Sequence, residues 1–215
     1  MLRVRNVNLS ATVEAFFSTP APFDRLALKS LAATALQQFG EYGLRPSQIY
    51  QRLGDELFDY EVSFSVFNNQ AQIRIGSERL LVNVQNARNQ TDVQLLRECI
   101  IRATRCVDLS TVGKLNIQAA SHAVFENESD SVAFFGPFID ADLAVIGGGR
   151  IIQAQEADWP KPIRLLIENS VTSKDGVFLM WSTEYGGSLD HDSLKIVADR
   201  FGETAQKLGL EVHFE

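Results

Sequence analysis

The string Asp142-Leu-Ala-Val-Ile-Gly147-Gly-Gly149 is the most suggestive of chemistry in this sequence. In a dinucleotide-binding fold, glycines after a strand let the backbone approach a pyrophosphate, and a helix N-terminus then faces the anion. Here Ile152 stands where the third glycine or alanine belongs, and Pro160 follows too soon for a full crossover helix. We therefore predict a connector between strands and no nucleotide cofactor.

Two short acidic stretches carry side chains that could bind a metal ion. Acidic groups alternate along 126–130 as they do in a calcium loop, but Ser131 replaces the turn glycine and Pro137 replaces the bidentate glutamate. Asp140 and Asp142 form an Asp-x-Asp pair without further ligands. The sequence thus predicts solvated acidic loops and no metal site.

The histidines and serines do not assemble a catalytic pattern. His191-Asp192 is similar to a metal-binding pair, but the simpler interpretation is that these residues begin a helix, where carboxylates complement the helix dipole. His122 and Glu126 lie four apart on a predicted strand, too far apart to share a metal. Zinc spacing and a Gly-x-Ser-x-Gly elbow are both absent from the sequence.

Cys99 and Cys106 are seven residues apart in a predicted helix. At a rise of about 1.5 Å per residue they lie about 10 Å apart, whereas a disulfide requires Cα atoms within about 7 Å. We expect two free, buried thiols, which fit a reducing compartment.

Charge is unevenly distributed along the 215 residues, whose net charge is −7. Residues 1–112 contain 12 basic and 11 acidic side chains, whereas residues 113–215 contain 8 and 16. The acidic second half argues against binding to nucleic acid or anionic membrane. No apolar run is long enough to span a bilayer, and the N-terminus lacks the apolar stretch of a signal peptide. We expect a cytoplasmic protein.

Hydrophobic periodicity in the first half predicts alternating strands and two helices. Leu9 to Phe17 alternate as a strand, and a helix with an apolar stripe follows from Asp24 to the stop at Gly40. A strand meander covers 58–84. A second helix over 91–107 begins with a Thr91-x-x-Gln94 capping box.

The second half predicts the same kinds of element. Their order is a strand over 115–125, a short strand Val132–Phe135, an irregular stretch 136–160, a hairpin over 163–185 turning at Asp175-Gly176, a helix from Asp190 to Gly209, and a terminal strand. The helix stripe contains Leu194, Val197, Ala198, Phe201, Ala205 and Leu208.

These patterns predict an α+β protein of mainly antiparallel sheet, with about three amphipathic helices packed on one face. The halves 1–112 and 113–215 are similar in style and form either two units or one continuous domain. No motif of a known family stands in the chain, and fold class does not by itself specify function.

The leading functional hypothesis is a non-catalytic interaction or assembly module that binds a protein partner or itself. Its acidic surface would comprise Glu126, Glu128, Asp130, Asp140 and Asp142. One alternative is a small-molecule-binding protein with an apolar cavity between sheet and helix. Another is an enzyme with a dispersed acidic site drawn from Asp140, Asp142, Glu184 and His191. We expect no cofactor in the leading case.

If the acidic surface binds a partner, the association should weaken with salt, because exposed charges are screened over about 8 Å at physiological ionic strength. A pull-down at low and high salt measures this, and a variant neutralising all five acidic residues serves as the comparison. Equal recovery in every arm would mean that these charges only maintain solubility.

Overall fold

Alternating strands build one sheet that runs through most of the chain. The computed structural model describes residues 1–20, 25–55, 59–108, 111–136, 149–154, 162–173, 175–186 and 203–214. Within these ranges the strands are β1 Leu2–Phe17, β2 Tyr50–Leu53, β3 Tyr60–Val66, β4 Ala71–Gly76, β5 Arg79–Ala87, β6 Val112–Phe125, β7 Gly149–Ala154, β8 Ile163–Asn169, β9 Gly176–Gly186 and β10 Leu210–His213.

The strand order across the sheet is β2-β3-β4-β5-β1-β6-β9-β8-β7, and β10 pairs with β1. The pairing is antiparallel throughout except for the parallel β1–β10 pair. The two long strands β1 and β6 lie side by side at the centre. Both predicted halves therefore contribute to the same sheet, while the domain division at residue 112 stays a prediction.

The helices cover one face of this sheet. They are α1 Arg25–Phe39, α2 Gln90–Thr104 and α3 Glu128–Phe135, with further helical residues at 203–207. Phe39 of α1, Cys99 of α2, Phe135 of α3 and Ala205 are buried in one apolar core with alternate residues of the strands. The predicted α+β class, with its mainly antiparallel sheet and amphipathic helices, is confirmed.

Arg102 joins α2 to the end of α1. Its guanidinium donates to the Gln38 carbonyl over 2.7 Å and to Glu98 over 2.8 Å, and it also pairs with Glu41. It lies 4.7 Å from the centre of the Tyr42 ring. Charged hydrogen bonds of this kind are stronger than neutral ones, so this half-buried arginine holds the two helices in place.

β1 begins seven residues earlier than the predicted strand, at Leu2 rather than Leu9. The early part was missed because a polar residue, Asn6, occupies a core position there. Its amide donates to the Ala87 carbonyl over 3.0 Å, and its side-chain oxygen accepts from the Ser121 hydroxyl over 2.7 Å. The buried amide is thus hydrogen-bonded at both ends, as burial of a polar group requires.

The predicted capping box at Thr91 is wrong. The α2 N-cap is Asn89, whose side chain accepts from the Asp92 backbone N–H over 2.8 Å, and the Asp92 carboxylate accepts from the Arg88 N–H over 3.0 Å. Asparagine is as good an N-cap as any residue. The N-cap therefore lies two residues before the predicted one, the helix begins at Gln90, and Thr91 lies exposed within its first turn.

The predicted strand Val132–Phe135 is also wrong, because these residues end helix α3. Phe134 and Phe135 both contact Phe125 of β6, with ring centres 5.5 Å and 6.4 Å away. Adjacent residues on a strand would point to opposite faces. The acidic first turn of α3, with Glu128 and Asp130, complements the helix dipole.

The irregular stretch predicted over 136–160 contains a strand. Residues 149–154 form β7, which pairs antiparallel with β8, so the prediction is wrong there. Residues 137–148 and 155–160 lie outside the described part of the chain. So do Leu194, Val197, Ala198 and Phe201 of the predicted final stripe.

Turns are confirmed where the sequence supplies residues that tolerate positive φ. Asn68 and Asn69 adopt φ of 53° and 67° in the β3–β4 turn, and Gly209 has φ of 79° where the last helical residues give way to β10. Ala205 is buried beside this end, as predicted. The chain therefore turns back onto β1 where the sequence indicated.

Ser121→Ala should lower the free energy of unfolding by about 1–3 kcal/mol, because the buried Asn6 oxygen then loses its partner. Urea unfolding measures the change. Ser10→Ala, on the same pair of strands but on the opposite face, is the control and should cost much less. Equal effects in the two variants would contradict the role given to the buried pair.

Candidate functional site

The sheet has a second face that carries mainly polar side chains. We call it the helix-free face, because the helices of the described ranges pack on the other side. In the centre of the sheet it is formed by outward-pointing residues of four neighbouring strands, Thr12 and Glu14 of β1, Asn116 and Gln118 of β6, Ser182 and Glu184 of β9, and Arg164 of β8. Strand alternation produces this face, since the inward neighbours of these residues fill the core.

These residues line a concavity of about 390 Å³. Ile117, Pro162 and Thr183 complete the lining. The size falls within the range of small-ligand sites, but such sites are usually lined mainly by apolar groups. This one instead presents amides, hydroxyls, carboxylates and one guanidinium.

The three charged side chains that line the concavity differ in their ion-pair partners. Glu14 accepts from Arg79 of β5 over 2.5 Å, and Glu184 pairs with Lys114 over 2.7 Å. Arg164 is exposed and forms no ion pair with any residue of the described ranges. A guanidinium with five donors and no carboxylate partner is suited to bind an anionic group of a ligand.

The uncharged groups of the concavity both donate and accept hydrogen bonds. Asn116 and Gln118 carry amide groups, and Thr12 and Ser182 carry hydroxyls. Register places Thr12, Gln118, Ser182 and Arg164 in one row across four strands, about 14 Å long at the usual strand spacing. A row of this length can contact several residues of an extended chain.

The acidic residues predicted to form one interaction surface are not all placed. Glu126 follows β6 and lines a separate concavity of about 360 Å³ with Arg5, Val124 and His213. Glu128 and Asp130 lie in the first turn of α3, where Asp130 accepts from the Asn127 amide over 3.0 Å. Asp140 and Asp142 lie outside the described residues, and the proposed surface stays a prediction.

The described part of the chain holds no cluster of three or more potential metal ligands among its His, Cys, Asp and Glu side chains. His122 lies on the helix-free face, with Nδ1 2.9 Å from the Ser170 hydroxyl and its ring 4.7 Å from the centre of Phe178. His191 and the glycine run, apart from Gly149 in β7, lie outside the described residues. The interpretations of the glycine run as a dinucleotide site and of His191-Asp192 as a metal-binding pair gain no support.

The predicted alternative of an apolar cavity between sheet and helix meets only a small space in the described part of the chain. Between residues 204–208 and strands β8 and β9 only about 10 Å³ is open, lined by Leu165, Leu179, Trp181 and their neighbours. That is about the size of a single water molecule. Apolar side chains fill this part of the interface, so it offers no room for an apolar ligand.

The two cysteines are free and buried, as predicted. Burial raises the pKa of both thiols to about 12, and for Cys99 the neighbouring Cys106 adds to the rise. Since the thiolate is the nucleophile, neither residue is an activated nucleophile. The Cys106 thiol also contacts the Arg102 carbonyl at 3.6 Å.

Comparison with known proteins adds no assignment. No protein-family model matches the chain, and no curated protein matches it in sequence. No helix in the described ranges is long and apolar enough to cross a membrane.

Sequence reasoning named Glu184 only as part of a possible acidic enzyme site and missed the remaining lining residues. The sequence did mark such residues as the polar positions that alternate with apolar ones along each strand. Thr12 and Glu14, for example, alternate with Ala11, Val13 and Ala15. Alternation shows that such residues face away from the core. It does not show which strands are neighbours, so the grouping of Glu14 with Arg164 had no sequence signal.

Native protein should react with iodoacetamide far more slowly than unfolded protein at pH 8, because a thiol pKa near 12 leaves little thiolate and burial blocks access. Mass spectrometry with time counts the modified cysteines, and the same protein in urea is the control. Both thiols should be modified there. Rapid modification of either cysteine in native protein would contradict the burial.

Proposed function

We propose that the protein is a non-catalytic interaction module that holds an extended, polar segment of a protein partner in the central concavity of the helix-free face. The observation that carries the proposal is the row of hydrogen-bonding side chains across β1, β6, β9 and β8, which ends at Arg164, a residue without an ion pair in the described ranges. A peptide segment has backbone amides that match such groups and carboxylates that match the guanidinium.

The charges of the concavity support a ligand that is itself mixed in charge. Glu14 and Glu184 stand on one side, each beside its own cation, and Arg164 stands on the other. A purely anionic polymer would meet the two carboxylates, and a purely cationic one would meet three basic groups, Arg79, Lys114 and Arg164. A segment with both signs can complement both sides.

The open shape of the site favours binding over catalysis. Both carboxylates are engaged by cations, and an exposed concavity does not exclude water as closed active sites do. Free thiols at Cys99 and Cys106 support a reducing compartment such as the cytoplasm as the place of action.

The proposal is tested with a photo-crosslinking amino acid at Gln118, inside the concavity, and at Gln94, exposed on helix α2 and therefore on the other side of the sheet. Only the Gln118 protein should give a cross-linked partner peptide, identified by mass spectrometry. No peptide from Gln118, or the same set of peptides from both positions, would contradict a site at the concavity.

The captured segment, made as a synthetic peptide, is then titrated calorimetrically. Arg164→Glu should weaken its binding about tenfold or more, because a charge-assisted hydrogen bond is replaced by repulsion. Arg74→Glu changes an exposed arginine of the same face on β4 and should have little effect. Equal losses would indicate general electrostatic attraction, and no loss in either would remove Arg164 from the site.

A further inference from the structure

Strand β2 ends the sheet with an exposed edge. All four of its residues are exposed, and two of them are large apolar side chains, Tyr50 at 70% and Leu53 at 51%. Proteins usually protect such edges, because their unpaired backbone groups can bond another strand. Residues 25–49 before β2 and residues 54–55 after it are described. None of the residues that the structure describes pairs with the outer side of β2, whose other side pairs with β3.

The hydrogen-bond pattern identifies which backbone groups of β2 face outward. Gly54 N–H donates to the Asp59 carbonyl over 2.6 Å, and the β2–β3 register continues from that pair. Hydrogen-bonded and non-hydrogen-bonded pairs alternate in antiparallel sheet. Arg52 and Tyr50 therefore bond β3, while Gln51 and Leu53 direct their N–H and C=O groups to the free edge.

The side chains of β2 are complementary to β2 itself in one register. When Gln51 faces Gln51 of a second copy, Tyr50 faces the second copy's Arg52 in a non-hydrogen-bonded pair, where side chains approach most closely. A guanidinium over a tyrosine ring is attractive. Shifting the register by two residues in one direction instead places Arg52 against Arg52, and like charges directly opposite destabilise a sheet.

The same register joins apolar residues on the helix-covered side. Ile49 faces the second copy's Leu53 there. Ile49 packs against a small apolar cluster formed by Leu28, Tyr60 and Val62 near this edge, and it also contacts the main core. Leu53 of the second copy would extend that cluster across the junction and lose its exposure to water.

We propose that two copies of this chain associate through antiparallel pairing of their β2 strands, centred on Gln51. Gln51 of each copy donates to the other's Gln51 carbonyl, and each Leu53 N–H donates to the other's Ile49 carbonyl. The Ile49 N–H is already bonded to the Pro46 carbonyl, so the pairing comprises four backbone hydrogen bonds. It merges the two sheets and their helix-free faces.

The helices that the structure describes leave room for this arrangement. A two-fold axis perpendicular to the sheet keeps both helix layers on the same side. The β3 strands of the two copies then lie three strand spacings apart, about 14 Å. Packed helices require about 8–10 Å between axes, so α1 of each copy can remain over its own sheet. Five paired residues from each copy form a small interface, and the dimer is therefore weak.

Disulfide trapping tests the register. A mixture of Tyr50→Cys and Arg52→Cys proteins should form a mixed disulfide dimer, because Cα atoms of a non-hydrogen-bonded pair lie about 4.5 Å apart, within disulfide range. Either protein alone should not, because residue 50 then lies about 8 Å from its own counterpart, as does residue 52. Native Cys99 and Cys106 are buried and stay in place.

The proposal would be overturned if the mixture gave no more disulfide-linked dimer than either protein alone. It would also be overturned if Arg52→Cys alone formed its disulfide-linked dimer faster than the mixture. Sedimentation of uncoupled protein is the second measurement. Gln51→Pro removes an edge N–H without touching a β2–β3 bond and should raise the dimer dissociation constant about tenfold or more. Gln51→Ala keeps the N–H and should still dimerise. Unchanged dimerisation of Gln51→Pro, or a monomer at every concentration of the parent protein, would overturn the pairing.

Discussion

The pairing of β1 with β6 is the interaction on which the rest of the structure depends. β1 contacts β5, β6 and β10, so strands from both ends of the chain meet on it. A slip of one residue in this pairing would turn every side chain to the opposite face. The buried Asn6 opposes that slip, because its hydrogen bonds to Ser121 of β6 and Ala87 of β5 form only in the observed register.

Fixing that register also builds the candidate site. The same alternation that places Val13 and Ile117 in the core places Glu14 and Gln118 on the other face, beside Ser182 and Arg164. Residues from distant parts of the chain become neighbours there. The described helices cover one face and bury its apolar side chains, and the other face carries the polar side chains of the concavity. One face packed on the core and one polar face is typical of antiparallel sheets.

Sequence patterns predicted the structure correctly where interactions between residues close in sequence were sufficient to form it. The strand β3, with alternating Tyr60, Val62, Phe64 and Val66, needed only its period, and Gly209 needed only its tolerance of positive φ. The errors arose where tertiary contacts competed. Val132–Phe135 read as a strand, but both phenylalanines pack on Phe125 from a helix. The β7 segment is flanked by glycines on one side and polar residues on the other, so the sequence did not indicate a strand. It forms a strand because it pairs with β8.

By itself, the sequence determined the class of the fold, the positions of most strands and turns, and the burial of both cysteines, because period, turn chemistry and apolar content act within about ten residues. It also determined which alternate residues of each strand are polar and therefore point away from the core. Only the tertiary structure decided that the strands of both halves join in one sheet, that Asn6 is a core residue, and that Glu14, Gln118, Arg164 and Glu184 share a concavity. These features depend on the order and register of β5, β1, β6 and β9, which are set by contacts between residues more than 50 positions apart in sequence, such as Asn6 with Ser121.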